Sequence, residues 1–216
     1  MKKAFIQKFL LTPAIFALGL LAAGCLSRPA LVRQDFVLQT PPIARPAPSP
    51  VGGVLALTSC DISPPFAGQA LVYRIGPNAF ETDPYAGFLV TPDKTAAIAI
   101  RTWLSRSGLF ASVVKPGSSM PFDQFLEVYV DELYGDLQQP AHPQAVLSLS
   151  FVLGNSRKGN GAQVLFQKEY SRHLPVAHDT AAAIVAGWNQ ALGEIMSKFA
   201  SDLTNAHKSM TQNPSP

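Results

Sequence analysis

The chain has 216 residues, 47% of them hydrophobic and 14% charged, with a formal net charge of +3. Lys2, Lys3 and Lys8 fall within the first 24 residues, where there is no acid; without that stretch Lys+Arg drops from 17 to 14, against 14 Asp+Glu. A neutral body offers no basic footprint for nucleic acid, and about 190 residues suit one domain with a sizeable core.

The three lysines lead into an uncharged apolar run, Phe9 to Ala23, whose end reads Leu21-Ala22-Ala23-Gly24-Cys25. A basic start, a short apolar stretch and small residues make up a secretory signal, and the run falls short of the ~20 residues of a membrane span. The cysteine placed directly after Ala-Ala-Gly resembles the lipobox of bacterial lipoproteins, with Ala22 where the usual leucine stands and Leu21 one step earlier. The resemblance implies cleavage between Gly24 and Cys25 and an S-diacylglycerol and N-palmitoyl group on Cys25. Acyl chains contribute about 0.8 kcal/mol per buried CH₂, so two or three of them anchor durably. Leu26, rather than Asp, follows the cysteine, which by analogy with lipoprotein sorting implies the outer membrane. The alternative is an ordinary signal peptide or signal anchor with a chance cysteine. An acylated Cys25 leaves Cys60 as a buried, inert strand thiol, whereas an unmodified Cys25 leaves a Cys25–Cys60 disulfide open.

Six prolines between residues 29 and 50 mark an extended tether and loop, with Asp35–Gln39 a candidate first strand inside it. Val54–Cys60 is apolar on both faces and reads as a largely buried strand ended by Pro64-Pro65. Leu71–Ile75 is a short strand closed by Gly76-Pro77-Asn78. Thr91-Pro92-Asp93 opens a helix with a capping hydroxyl, a first-turn proline and an acid at the positive dipole end. Ala96, Ala97, Ile100, Trp103 and Leu104 form its apolar stripe, and Gly108 ends it. Phe110–Val114 is a strand closed by Lys115-Pro116-Gly117, and Gln124–Leu133 alternates with the period of a half-buried strand. Ala145–Leu153 and Gln163–Ser171, around the glycine-rich loop 154–161, read as an antiparallel hairpin. Asp179 or Thr180 caps a long last helix with Ile184, Trp188, Leu192, Ile195, Phe199 and Leu203 on one stripe, before a polar tail from Asn205 to Pro216 expected to be disordered.

The element order predicts an α+β fold: a mostly antiparallel sheet with two main helices packed on one face, preceded by a lipoprotein signal peptide and a Pro-rich tether. The divisions are 1–24 signal peptide, 25–52 lipidated N-terminus, tether and candidate first strand, 53–205 α+β domain, and 206–216 disordered tail.

Catalytic patterns are weak. Ser112-Val113-Val114-Lys115 has Ser-x-x-Lys spacing but lies in a β-branched strand, without the companion motifs. His173, His178 and Asp179 share no helical face and lack the ligand number and spacing of a zinc site. The 154–161 loop runs into a strand rather than a helix N-terminus, so Arg157 and Lys158 are a solvated hairpin tip, not a phosphate cradle. Trp103 and Trp188 belong to core stripes, with ligand stacking as the minority reading; Phe151 and Phe166 would join Trp188 around any apolar cavity between sheet and helices. The expectations are no catalysis, no metal and no cofactor.

Leu71-Val72-Tyr73-Arg74, Tyr85-Ala86-Gly87-Phe88, Thr91-Pro92, Trp103-Leu104 and Ser107-Gly108-Leu109-Phe110-Ala111-Ser112-Val113-Val114 follow one another in an order that resembles the ABC-type transport auxiliary lipoprotein family, over residues 36–203. Phe88 stands where that family often has Trp, and Thr91-Pro92 where it has Pro-Pro. The resemblance implies the non-catalytic auxiliary component of an intermembrane lipid transport system. Its implied partner is an MCE-domain protein of the same system, and its place is the periplasmic face of the outer membrane, held by the lipid anchor. A homo-oligomer is left open. The rival expectations are a lipoprotein that itself binds a small apolar ligand, and a structural envelope-assembly lipoprotein.

Overall fold

The computed structural model describes residues 32–43, 46–115, 118–156 and 162–212. Gly24, Cys25 and the whole lipobox-like run lie outside the described residues, as do Arg157 and Lys158 of the hairpin tip. From Arg33 onward the chain forms one compact unit.

The fold is α+β, as the element order predicts. Its strands are β1 (Gln34–Phe36), β2 (Gly52–Ile62), β3 (Ala70–Gly76), β4 (Ala79–Phe88), β5 (Phe110–Val114), β6 (Gln124–Asp136), β7 (Gln144–Ser156) and β8 (Ala162–Pro175), with helices α1 (Pro92–Ser107) and α2 (Ala181–Gln212). All eight strands join one sheet. The strand β6 organises it. Along one edge it carries the antiparallel ladder β6–β7–β8. Along the other, β2 and then β3 lie parallel to successive lengths of it, β2 against Gln124–Val130 and β3 against Gly135 and Asp136. A 3-10 turn at Pro64–Phe66 separates the two. β5 flanks β2 and β1 flanks β4, both in parallel. The sheet is therefore mixed, with its long ladders antiparallel and its parallel pairings gathered in the half that precedes β7.

Alternation decides which face is buried. Leu147, Leu149, Phe151 and Leu153 of β7 point into the core together with Leu126, Val128 and Val130 of β6. Opposite them, Ser148 donates to Glu132 at 2.7 Å and Ser150 to Asp131 at 2.8 Å, a polar ladder on the helix-free face. Helix α2 lies on β7 and β8, and its whole stripe from Ile184 to Leu203 is buried. Each such side chain contributes about 1.5–3 kcal/mol of apolar burial. Gly187 lets the helix come this close: a Cβ there would sit 2.5 Å from Ala145 Cβ. Thr180 is the N-cap, its hydroxyl accepting the Ala183 N–H at 3.3 Å.

Helix α1 lies on β2 and β5. Its Thr91 hydroxyl makes no capping bond to the backbone, and the turn closes through the Thr91 carbonyl, which accepts from Lys94 and Thr95. It ends at Gly108 in the left-handed region at φ 71°, where a Cβ would lie 3.0 Å from the Ala47 carbonyl oxygen.

Three segments differ from the sequence expectations. Asp35–Gln39 pairs as a strand only over Gln34–Phe36, and from there to Val51 the described chain is a strap docked on the helices rather than a free tether. Leu38 N–H donates to Thr95 Oγ1 at 2.8 Å and Gln39 N–H to Asn189 Oδ1 at 2.9 Å, and Ala47 N–H donates to the Ser107 carbonyl at 2.7 Å. Prolines take donors away from a sheet, yet the N–H groups between them still need acceptors, and polar helix residues supply these. The second difference is β4, a strand absent from the sequence reading because Ala79–Tyr85 is mostly exposed and polar and shows no apolar alternation. The third is that α2 runs on through Asn205 to Gln212. A formed helix gains one backbone bond per added residue and can extend beyond its apolar stripe.

Candidate functional site

The aromatic side chains singled out in the sequence separate into two groups. Trp188 is fully buried, stacks on Phe88 at 5.8 Å and donates its indole N–H to the Tyr134 carbonyl at 3.2 Å. Phe151 stacks on Phe199 at 4.7 Å, and Phe166, partly buried, meets the same ring edge-on at 5.8 Å. Trp188 and Phe151 belong to the hydrophobic core and Phe166 packs against it.

Trp103 differs from them. It is buried, its indole N–H has no hydrogen-bond partner among the described residues, and its ring lines a cleft of about 400 Å³ between the strap, the end of α1 and the second half of α2. Ile43, Pro46, Pro48, Leu109 and Ala200 supply apolar walls. The hydroxyls of Ser197 and Thr204 turn back onto carbonyls of their own helix at 2.8 Å, leaving only acceptor capacity toward the cleft. No charged side chain lines it among the described residues. The volume falls within the ~300–1,000 Å³ range of small-molecule sites, and a buried N–H left unpaired costs about 1–3 kcal/mol.

A larger cleft, about 620 Å³, opens between β2 and α1. The β2 side is Leu57–Asp61, which lies beyond the last β5 pairing, Ala56 with Val114. The α1 side is Asp93, Lys94, Ala97, Ile98 and Arg101, and Lys115 stands at the end of β5. Asp93 pairs with Lys94 at 3.4 Å. Burial works to raise the Asp93 carboxyl, but hydrogen bonds from Thr91 and Lys94 outweigh it and hold it below the ordinary carboxylate range. Arg101 and Lys115 have no ion-pair partner among the described residues. Cys60 is free and half-buried on this wall, and its thiol is pushed up to about 12 by burial and then by Asp93 and Asp61, which leaves it a poor nucleophile and metal ligand.

The remaining sequence candidates do not converge. Ser112 sits on β5 opposite Val54, and Lys115 serves the larger cleft. His173 is exposed on β8 opposite Val146, and His178 lies in the turn before α2. Among the described residues no group of three or more His, Cys, Asp or Glu could hold a metal ion, and no helix is long and apolar enough to cross a membrane. Sequence reasoning missed both clefts. Trp103 was named for its residue type, and the run of Asp93, Lys94, Ala97, Ile98 and Arg101 at helical spacing was legible as a face. That β2 outruns β5 beside that face was not.

No protein-family model and no curated protein matches this sequence. Solved structures do resemble it. A crystal structure of a protein from Xanthomonas campestris, described under the family model DUF330, superposes with a TM-score of 0.66 at 18% identity, covering 84% of this chain and 99% of that one. The crystal structure of an uncharacterised protein superposes with a TM-score of 0.57 at 13% identity, covering 80% of this chain and 99% of the other. Likeness at these identities is likeness of fold.

Proposed function

We propose that this chain is a lipid-anchored envelope protein and the non-catalytic auxiliary component of an ABC/MCE intermembrane lipid transport system. The observation that carries the reading is the lipobox-like Leu21–Cys25 run standing shortly ahead of a compact α+β unit that begins at Arg33. In this reading the acyl chains on Cys25 hold the unit on the periplasmic face of the outer membrane, and an MCE-domain protein docks on it. Because the strap is docked on the helices, the covalent path from Cys25 to the folded unit ends at Arg33, and eight residues of chain reach at most about 28 Å. A short tether keeps the unit at the membrane and raises the effective concentration of a partner held there, so weak docking suffices.

Intact mass spectrometry of membrane-extracted protein, with fractionation of a Cys25→Ala variant, tests the anchor. Diacyl or triacyl mass on Cys25 and a soluble variant are expected; an unmodified cysteine, or one bonded to Cys60, overturns the reading. Co-purification of the MCE-domain protein with the folded unit tests the docking.

The Trp103 cleft favours a second reading, a lipoprotein that itself binds a small uncharged apolar ligand between the Trp103 ring and the walls of Ile43, Pro46, Pro48, Leu109 and Ala200. Mass spectrometry of organic extracts from the purified protein, compared with a Trp103→Phe variant, separates the two readings.

A further inference from the structure

We propose that the cleft between α1 and the unpaired end of β2 is a docking groove for an extended, acidic peptide segment of a partner protein. The proposal goes beyond the transporter reading, because it names the docking face and the chemistry that fits it whatever the partner.

The first observation is the open edge. β2 runs from Gly52 to Ile62, but β5 covers it only to Ala56. The residue after Lys115 is proline, which has no N–H to continue a ladder. From Leu57 to Ile62 the chain pairs with β6 on its inner side, and no described strand pairs on its outer side. Half of the backbone polar groups on such a stretch face outward and seek partners. A register shift between Leu57 and Ser59, a bulge of the kind found at sheet edges, re-aims this end of the strand.

The second observation is the facing wall. Asp93, Lys94, Ala97, Ile98 and Arg101 of α1 stand opposite the edge, with a cavity of about 620 Å³ between. A free strand beside a helix is the arrangement in which an added peptide strand gains main-chain bonds from the edge and side-chain contacts from the helix. Ile98, 55% exposed, is an apolar contact for one side chain of that peptide. The open length is about 20 Å at ~3.3 Å per residue, room for a segment of about six residues. An acyl chain could fill this space but could not satisfy the edge amides, so the geometry selects a peptide over a lipid.

The third observation is charge. Lys94, Arg101 and Lys115 face Asp61 and Asp93, and the Lys94–Asp93 pair is internal to the wall. What remains unpaired among the described residues is Arg101 and Lys115 against Asp61. That balance attracts carboxylates and repels a basic segment.

The test is selection of phage-displayed random nonapeptides on the full chain, followed by titration of the winning synthetic peptide and amide hydrogen exchange. The expected result is enrichment of Asp and Glu and depletion of Pro, slowed exchange confined to residues 57–62 and α1, and affinity at least tenfold weaker for an Arg101→Glu/Lys115→Glu variant of unchanged thermal stability. An Ile98→Ser variant, an exposed change that does not touch folding, is a second check and should weaken binding several-fold. No selected peptide, binding indifferent to these variants, or protection elsewhere overturns the proposal. So does slowed exchange at 57–62 in the free chain that vanishes on dilution to monomer, because the occupant would then be a second copy. The experiment contains no MCE protein, so its failure and a failed co-purification are separate results.

Discussion

The two halves of the sheet are built differently. In the β6–β7–β8 half, the ladders are long and antiparallel, each with a single register shift (Val130/Glu132 and Leu153/Gly154), and α2 covers them with an unbroken stripe from Ile184 to Leu203. In the β1–β5 half, strands are shorter, most pairings are parallel, registers shift at Leu57/Ser59 and along β3, and a proline-containing strap takes the place of further secondary structure. The clefts of about 620 and 400 Å³ each have a wall in this second half, one at the open end of β2 and one under the strap. The closed half supplies rigidity. The unfinished half keeps a backbone edge and an apolar cleft open, and such features are what a partner or ligand recognises.

Substitutions in the two halves should therefore have unequal effects. The largest is expected for Trp188→Ala, which removes the stack on Phe88 and the bond to the Tyr134 carbonyl; urea unfolding should show a loss of about 3–5 kcal/mol in one cooperative transition. Separate transitions for the two halves would break the comparison, because Trp188 is where they are welded. Next comes Thr95→Ala, which deprives Leu38 N–H of its buried acceptor and should cost about 1–2 kcal/mol. Hydrogen exchange should then rise first along the strap, with the β6–β8 ladders still protected.

A smaller effect, about 1 kcal/mol or less, is expected for Asp202→Asn on α2. Lys168 and Lys198 at 2.8 Å, against opposing burial, and the Tyr170 hydroxyl at 3.1 Å hold the Asp202 carboxyl down at about 2. Its unfolded value is ~3.9, so the stabilisation is fully present above about pH 4 and is lost as pH falls toward 2. The variant should flatten the acid limb of the stability profile across that window, measured by urea titration at each pH. The smallest effect is reserved for the Arg101→Glu/Lys115→Glu pair, which should leave stability within about 0.5 kcal/mol while weakening peptide binding at least tenfold.

Much of the closed half was legible because one physical signal governs it. Alternation in Leu147–Leu153, the Gly/Asn-rich interruption and the 3.6-residue stripe of α2 each report burial of one face, and burial is what composition records. The open half resisted for definite reasons. β4 is mostly exposed from Ala79 to Tyr85, lacks apolar alternation there and is paired through its backbone to β3, and backbone pairing leaves no composition signal. The strap looked like a tether because prolines exclude it from a sheet, yet its bonds go to Thr95 and Asn189, 57 and 150 residues away in sequence. Among the named aromatics, residue type alone did not tell the packed Trp188 from Trp103, whose indole N–H lacks a partner among the described residues.

By itself, then, the sequence determined the α+β class, the helix caps and stripes, the central hairpin and the lipobox-like start, because each is written in local periodicity or in a short run of residues. Only the tertiary structure decided that β2 outruns β5, that α1 stands beside the exposed end, and that the strap closes over Trp103. Those features depend on where strands stop relative to one another, a matter of three-dimensional register between segments far apart in the chain, which no local pattern encodes.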